Sequence, residues 1–372
     1  MEAVNPVQAT DLFSPQFGQI TEKDADAGIE QPDWPTLYQR LLNFGVSYGD
    51  LERIKAALTD QVSFSRALGN LAERWKRFAE RAWKLGRLET PREQWKRAAD
   101  YYHYAQFSLP DSFLKRTFQR ASRACYKRAA GLFDPPAVLC QVPFRTMQIH
   151  GYLRIRRPGA PCVILIGGID SAKEVELHYL AEVFLRRSCS VFYFDSGRQR
   201  ELCRTALGCG LEQVVSAIID FLRNEPGVGV TPIGCFGLDV GAHIACRAAA
   251  CDSRINACIA MSGFFDSVVL QQWPASIRAT FLKAFGAPNL TLAPMTGRMK
   301  APLLLVYGTS DPLANNDQIK ALREWACGPV ETLTLEDAER LCCNRFNECL
   351  PAMGDWMTNW LLHKNSQEVT LI

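Results

Sequence analysis

The decapeptide GCFGLDVGAH, Gly234 to His243, places one aspartate, Asp239, at the centre of a glycine-flanked turn. The apolar segment Pro232 to Phe236 leads into it, and the alanine-rich segment Ala242 to Ala250 follows it. This order predicts a buried strand, a strained turn and a helix, the arrangement called a nucleophile elbow, which pushes the central side chain into a pocket. A hydrolase with the G-x-S-x-G form of this turn carries serine there, so the aspartate decides which chemistry is open to the chain.

A second glycine-containing segment, Gly167 to Glu174, follows the apolar run Cys162 to Ile166. Glycines let the backbone approach a ligand closely. We expect an N–H of Gly168 or Ile169, together with the N–H of Val240 after the elbow, to form an oxyanion hole, which stabilises developing negative charge. The alternative is an ordinary glycine turn. The order of the two segments along the chain favours the functional interpretation.

Asp311 follows the apolar run Pro302 to Tyr307, where a chain with the order nucleophile, acid, histidine has its acid. The histidine should follow the next strand, Val330 to Leu335, but that loop contains none. The histidines of the chain are His103, His150, His178, His243 and His363. Arg340 stands in the expected place, and because arginine stays protonated at neutral pH it cannot be a general base. We expect Arg340 to pair with Asp311 or to steer a substrate enol or carboxylate.

The composition excludes several classes of protein. The net charge of +3 gives no electrostatic footprint for nucleic acid, and basic residues of the N-terminal half alternate with acidic and aromatic ones, as on a solvated helical surface. We find no signal-peptide pattern and no apolar run of membrane-spanning length, so we expect a cytoplasmic protein without a membrane partner. The fourteen cysteines are scattered through apolar runs. We expect most to be reduced core residues, and we expect neither a metal nor a cofactor.

Changes in pattern divide the 372 residues into three segments. Residues 1–33 are polar and punctuated by proline, and we expect an arm that folds only against a partner surface. Residues 34–135 repeat apolar and aromatic positions at helical spacing and predict a helical domain, in which the aromatic stripe belongs to the core or a cap. Residues 136–372 alternate short apolar strands with helices, which predicts an α/β domain.

Buried strands separated by helical segments predict a mostly parallel, doubly wound sheet with its sites at the carboxyl ends of the strands. The first two strands should form a hairpin. The predicted strands are Val138 to Phe144, Met147 to Ile155, Cys162 to Ile166, Ser190 to Phe194, Ile233 to Phe236, Ile255 to Met261, Pro302 to Tyr307 and Val330 to Leu335. The helical segments between them include Leu177 to Arg187 and Gly210 to Arg223.

Several motifs together resemble those of the α/β-hydrolases that include 2,6-dihydroxypseudooxynicotine hydrolase and fungal hydrolases that shorten heptaketide pigment precursors. The matching segments are Arg97 to Tyr102, Phe133 to Pro136, Val142 to Phe144, His150 to Leu153, Gly167 to Glu174, the elbow and Gly308 to Asp311. The resemblance implies an α/β-hydrolase fold with an N-terminal helical cap, often in a homodimer, and a Ser-His-Asp triad that cleaves carbon–carbon bonds beside ketones. Here Asp239 replaces the serine, Asp311 keeps the acid and Arg340 replaces the histidine; the turn Ser196 to Glu201 is also altered.

These departures favour a non-hydrolytic enzyme of polyketide-type specialised metabolism. In this hypothesis a capped apolar pocket holds a ketone-like substrate, and Asp239 exchanges a proton during a cyclisation, condensation, isomerisation or pericyclic step. The residues expected to contact the substrate are Lys173, Glu174, Tyr101, Tyr102, Phe264 and Trp273. Two alternatives stay open: a carbon–carbon or ester hydrolase that uses Asp239, and a catalytically inactive scaffold that binds a ligand or a partner.

Overall fold

The chain was analysed as a computed structural model. It describes residues 34–60, 62–110, 112–196, 210, 212–229, 231–263, 265, 278–279, 282, 291–292, 298–311 and 316–362. The chain divides into two compact units, Met1–Phe133 and Asp134–Ile372. The division falls beside the proline pair that suggested the end of the helical domain.

The described part of the first unit contains five helices, as the helical spacing predicted. They are α1 (Trp34–Asn43), α2 (Tyr48–Thr59), α3 (Phe64–Lys84), α4 (Glu89–Ala105) and α5 (Phe113–Ala130). The hydroxyls of Ser63 and Ser112 accept hydrogen bonds from the first turns of α3 and α5, which fixes where these helices begin. Helices α3 and α4 pack together closely, and α5 packs against α4.

A buried carboxylate, Asp50, organises the aromatic residues of this unit. Only 2% of Asp50 is exposed. Its Oδ2 accepts hydrogen bonds from the Tyr101 hydroxyl at 2.6 Å and the Trp75 indole at 3.1 Å, while Arg53 donates to Oδ1 at 2.8 Å. Burial and the neighbouring carboxylate raise the pKa of Tyr101, so its phenol remains a donor. Tyr101 and Tyr102 of the aromatic stripe therefore belong to the core of the helical unit, whereas Phe78 and Trp83 are exposed.

The described strands of the second unit form one eight-stranded sheet in the order β1-β2-β4-β3-β5-β6-β7-β8. β1 and β2 form the predicted antiparallel hairpin, β2 pairs antiparallel with β4, and every other pairing is parallel. The strands are β1 (Val138–Phe144), β2 (Met147–Arg154), β3 (Cys162–Ile166), β4 (Ser190–Phe194), β5 (Ile233–Leu238), β6 (Ile255–Met261), β7 (Leu303–Gly308) and β8 (Val330–Leu335). This topology confirms the mostly parallel α/β sheet.

Helices follow the strands and cover the sheet. They are α6 (Glu176–Leu185), α7 (Glu212–Asn224), α8 (Val240–Cys251), α9 (Asn316–Trp325) and α10 (Phe346–Leu362). Strands β3, β4 and β5 are buried along their whole length. Because they are covered on both faces, their sequences are continuously apolar.

The cysteines agree with their expected place in the core. Twelve of the fourteen lie among the described residues; none of these twelve forms a disulfide, and ten are buried. Within the described ranges, no helix is both long and apolar enough to span a bilayer.

Substituting Asp50 tests the buried network of the helical unit. Asp50→Ala leaves Tyr101 and Trp75 as buried donors without their acceptor, so we expect the free energy of unfolding to fall by about 3 kcal/mol. Equilibrium urea denaturation measures this change. Glu52→Ala, on the exposed side of the same helix, is the matched control and should leave the unfolding midpoint nearly unchanged.

Candidate functional site

The elbow is present at the end of β5. Asp239 lies between β5 and α8 with φ 58° and ψ −120°, a left-handed backbone conformation that is strained for a residue with a Cβ. Its N–H donates to the carbonyl of Met261 at 2.9 Å. A Cβ on Gly241 would lie 2.2 Å from the Ile166 carbonyl oxygen, so only glycine lets α8 approach β3 this closely. The side chain of Asp239 is thereby fixed at the carboxyl ends of the central strands.

The loop after β3 meets this carboxylate. The Ile169 N–H donates to Oδ2 of Asp239 at 3.3 Å. A Cβ on Gly168 would lie only 2.9 Å from the Cβ of Asp239, so the close approach depends on glycine. Val240, the other expected donor, is the first residue of α8, where the helix dipole presents partial positive charge. The Ile169 N–H, one of the donors expected in the oxyanion hole, is therefore already hydrogen-bonded to the Asp239 carboxylate.

Arg340 binds the other oxygen of Asp239. Its Nη2 donates to Oδ1 at 2.9 Å, and the two side chains are 17% and 3% exposed. The expected hydrogen bond between Arg340 and Asp311 does not form; the partner is Asp239. Nη1 of Arg340 is buried and has no hydrogen-bond partner among the described residues. One donor of the guanidinium thus stays available inside the site.

The negative charges of three carboxylates act on the Arg340 guanidinium. Burial lowers the pKa of Arg340, but the negative charges of Asp239, Asp311 and Asp170 outweigh burial, and the net effect raises its pKa. Asp311 is 4% exposed and follows β7. Arg340 is consequently a permanent cation, and it acts as a hydrogen-bond donor rather than as a base.

The loop that presents Arg340 is held by polar contacts. Asn344 accepts the Glu339 N–H at 3.0 Å through Oδ1 and donates to the Asp337 carbonyl at 2.9 Å through Nδ2. Leu341 and Cys342, within the 3₁₀ turn Arg340–Arg345, have φ values of 61° and 54°. No sequence signal indicated these left-handed residues, because leucine and cysteine disfavour that conformation. The role of Asn344 was also missed.

Lys173 and Glu174 belong to a buried ionic cluster. The Lys173 ammonium lies 2.8 Å from Oδ2 of Asp195 and 3.1 Å from Oε1 of Glu174. The Lys173 N–H also donates to Asp195. This cluster ties the loop after β3 to the end of β4, a role for Asp195 that the sequence did not indicate. Contact of Lys173 or Glu174 with substrate stays a prediction.

Two of the other expected substrate residues, Tyr101 and Tyr102, are buried in the helical unit, and their contact with substrate stays a prediction. The hydroxyls of Tyr101 and Tyr102 donate to Asp50 and Glu73 inside the helical unit, each at 2.6 Å. Phe264 and Trp273 lie outside the described residues, as do residues 197–201 of the altered turn.

An apolar cavity lies beside the elbow, where β6 and β7 end. Its volume is about 10 Å³, room for about one water molecule. It begins at Ser262, directly after the residue whose carbonyl accepts the Asp239 N–H. The lining residues are Ala260, Ser262, Gly263, Phe265, Leu305, Val306, Tyr307, Gln318 and Ile319.

A comparison with known protein families identifies the family of this chain. The profile of the family described as esterase FrsA-like matches residues 45–276, which is more than half of the chain. The chain belongs to the FrsA-like esterase family. This membership agrees with the α/β-hydrolase resemblance of the sequence motifs.

Relatives of this FrsA-like chain include bacterial and fungal proteins with hydrolase names. It is 27% identical to 2,6-dihydropseudooxynicotine hydrolase of Paenarthrobacter nicotinovorans over 342 residues, 87% of this chain and 91% of that protein. It is 30% identical to the α/β hydrolase xenA of Xenoacremonium sinensis over 262 residues, 61% of this chain and 58% of that protein. The match to 20-hydroxy-prefusarin hydrolase FUS2 of Gibberella moniliformis covers 56% of this chain and 53% of that protein, at 29% identity.

Solved structures show the same fold. The crystal structure of 2,6-dihydroxy-pseudo-oxynicotine hydrolase superposes with a TM-score of 0.80 at 24% identity and covers 90% of this chain and 98% of that one. The structure of AbyA5 superposes with a TM-score of 0.67 at 16% identity, covering 88% of this chain and 95% of that chain. The FrsA-like chain therefore has the α/β-hydrolase fold.

Restoring a triad tests whether these three positions have triad geometry. We expect the double variant Asp239→Ser/Arg340→His to hydrolyse p-nitrophenyl acetate about 100-fold faster than either single variant, because a general base raises rates by roughly 10² to 10⁴. The rate of p-nitrophenolate release measures this. Adding Asp311→Asn should remove most of the gain, whereas equal rates in all variants would mean that the positions do not align.

Proposed function

We propose that this FrsA-like protein catalyses a non-hydrolytic proton-transfer step, such as isomerisation or cyclisation, on an apolar, ketone-like substrate of polyketide-type metabolism. The observation that supports this proposal is the buried, unpartnered Nη1 of Arg340 beside the Asp239 carboxylate. A hydrogen-bond donor and a proton acceptor thus lie side by side, as enolisation requires.

The triad position that would supply the base for hydrolysis holds an arginine. An Asp239 ester, formed by attack of the carboxylate, would need a water activated by a neighbouring general base. Arg340 carries a permanent charge, which prevents it from accepting a proton. The replacement of serine and histidine therefore supports a reaction in which water is not a reactant.

The same two residues suit enolate chemistry. In the proposed step, Nη1 of Arg340 donates a hydrogen bond to the substrate carbonyl oxygen, which makes the adjacent carbon more acidic. Asp239 removes a proton from that carbon, and the negative charge develops on the oxygen held by Arg340. Asp239 then returns the proton to another carbon, which isomerises the substrate. Alternatively, the enolate attacks a second carbonyl carbon of the same molecule, and the oxygen of that carbonyl takes the proton from Asp239, which closes a ring as an aldol. One such donor contributes about 3 kcal/mol to the transition state.

The lining of the small adjoining cavity supports an apolar substrate. Its walls include Phe265, Leu305 and Ile319, and its polar groups include Ser262 and Gln318. An apolar surface with a few oriented polar groups is typical of small-molecule sites. The reacting carbonyl would lie at Arg340.

A ligand-binding protein without turnover is the second candidate. It is favoured by the Ile169 N–H, which is already bound to Asp239 and so is not open to a substrate oxygen. The two candidates differ in a measurable way, because a binding protein leaves its ligand chemically unchanged.

Isotope exchange tests the proposal without knowledge of the natural substrate. A panel of aryl alkyl ketones is incubated with the purified full chain in D₂O, and deuterium at the α-carbon is followed by NMR. We expect Asp239→Asn and Arg340→Gln each to lower the exchange rate about 100-fold. Arg345→Gln removes a surface arginine that pairs with Glu348 and should keep the full rate.

A parallel incubation in H₂¹⁸O distinguishes hydrolysis from proton transfer. A hydrolytic enzyme must put heavy oxygen into a cleaved product, whereas the proposed enzyme releases no cleaved product. Ketone binding without deuterium exchange would support the ligand-binding candidate, and labelled cleavage products would overturn the proposed function.

A further inference from the structure

Charge is distributed very unevenly along the chain. Residues 34–133 contain nineteen Lys and Arg against nine Asp and Glu. Residues 1–33 contain seven Asp and Glu against a single lysine, Lys23, and residues 134–372 are nearly balanced, with 22 basic and 23 acidic residues. The overall charge of +3 thus conceals an acidic N-terminal segment joined directly to a basic helical unit.

Among the described helices, α5 has the largest excess of basic over acidic residues. This helix contains six basic residues and no acidic one. Arg116, Arg120, Arg123 and Lys127 are all exposed, and their spacing of four, three and four residues places them on one face of the helix. We call Arg120, Arg123 and Lys127, together with Phe113 at the N-terminal end of the helix, the α5 basic face.

The contacts of this face within the described structure are few. Phe113 is 72% exposed, and its ring lies 5.9 Å from the guanidinium of Arg120. Arg120, Arg123 and Lys127 form no ion pair with any described residue. A row of like charges repels itself, so an anionic partner would stabilise it.

Helix α3 offers a contrast. It also contains six basic residues, but Glu73 and Glu80 are interspersed with them. Glu73 pairs with Lys76 and Arg77, and Glu80 pairs with Arg128 at the end of α5. Some basic residues of the unit are therefore paired with the acidic residues of α3, whereas Arg120, Arg123 and Lys127 of the α5 basic face have no ion-pair partner among the described residues.

We propose that the acidic N-terminal segment, residues 1–33, docks on the α5 basic face of its own chain. Charge complementarity supports this occupant. Its acidic residues are concentrated between Glu22 and Asp33, and Phe13 and Phe17 supply aromatic side chains that can pack beside Phe113. Glu22 lies 12 residues before Trp34, where the described chain begins, so the acidic stretch can extend to about 40 Å from that point. This length exceeds the diameter of roughly 26 Å that corresponds to the radius of gyration of a unit of about 100 residues.

Because residues 1–33 are covalently attached to the helical unit, weak contacts are sufficient for docking. A single exposed ion pair contributes little, but a segment attached to the same chain has an effective concentration in the millimolar range. Docking is therefore sensitive to salt, because the contacting charges are exposed. The docked segment covers a surface that would otherwise attract other polyanions.

Zero-length cross-linking tests this docking on the full chain. The variant Arg120→Lys/Arg123→Lys keeps the charge of the face and adds primary amines, which a carbodiimide couples to nearby carboxylates. At low salt we expect mass spectrometry to find cross-links from the acidic residues between Glu22 and Asp33 to positions 120, 123 and 127. Cross-links to Lys84 on α3 should be absent, and 1 M salt should suppress those on α5.

A mixture of ¹⁴N- and ¹⁵N-labelled chains identifies the occupant. Cross-links within one isotope support docking in the same chain. Mixed-isotope links would show that a second copy supplies the segment and would overturn the proposal, as would links to Lys84 in preference to α5.

Proteolysis gives an independent readout. Docking protects the peptide bond after Lys23, so the triple variant Arg120→Glu/Arg123→Glu/Lys127→Glu should be cut there by trypsin roughly tenfold faster than the unaltered chain. Arg66→Glu/Arg81→Glu/Lys84→Glu, three exposed basic residues of α3, is the matched control and should be cut at the unaltered rate. Equal rates in all three proteins, with no effect of salt, would overturn the proposal.

Discussion

The ion pair between Arg340 and Asp239 is the interaction on which the whole site depends. It joins two loops that lie 101 positions apart in the sequence, and it is mostly shielded from water. Two buried opposite charges must stay together, because removing either one leaves the other uncompensated in the interior. The ion pair therefore fixes the elbow loop and the Arg340 turn relative to each other.

The loops and strands around this ion pair are those of the α/β-hydrolase fold. The strained elbow, the close glycine of the β3 loop and the acid after β7 all keep their places. The two side chains that would transfer a proton from serine to histidine are changed. The fold thus retains its means of concentrating electrostatic stabilisation at one point, while the side chains present at that point differ from those of a Ser-His-Asp triad.

Sequence patterns predicted the strands and the order of the site loops, because continuous apolar runs and glycine turns are local signals. They did not identify the partner of Arg340. Asp239 and Asp311 both follow strands of the same sheet, and only side-chain geometry decides which of them accepts the hydrogen bond. The left-handed backbone at Leu341 and Cys342 had no signal either, since tertiary contacts impose it against the preference of those residues.

The carboxylate at the elbow has a consequence for how such proteins are detected. Fluorophosphonate reagents, which chemists use to survey serine hydrolases in whole proteomes, form a stable bond with an activated serine oxygen. Asp239 offers them a resonance-stabilised anion already bound by Arg340 and the Ile169 amide. Such a survey does not label this chain, although its fold matches that of the labelled enzymes. Proteins with this substitution are therefore undercounted wherever detection depends on the reactivity of a serine.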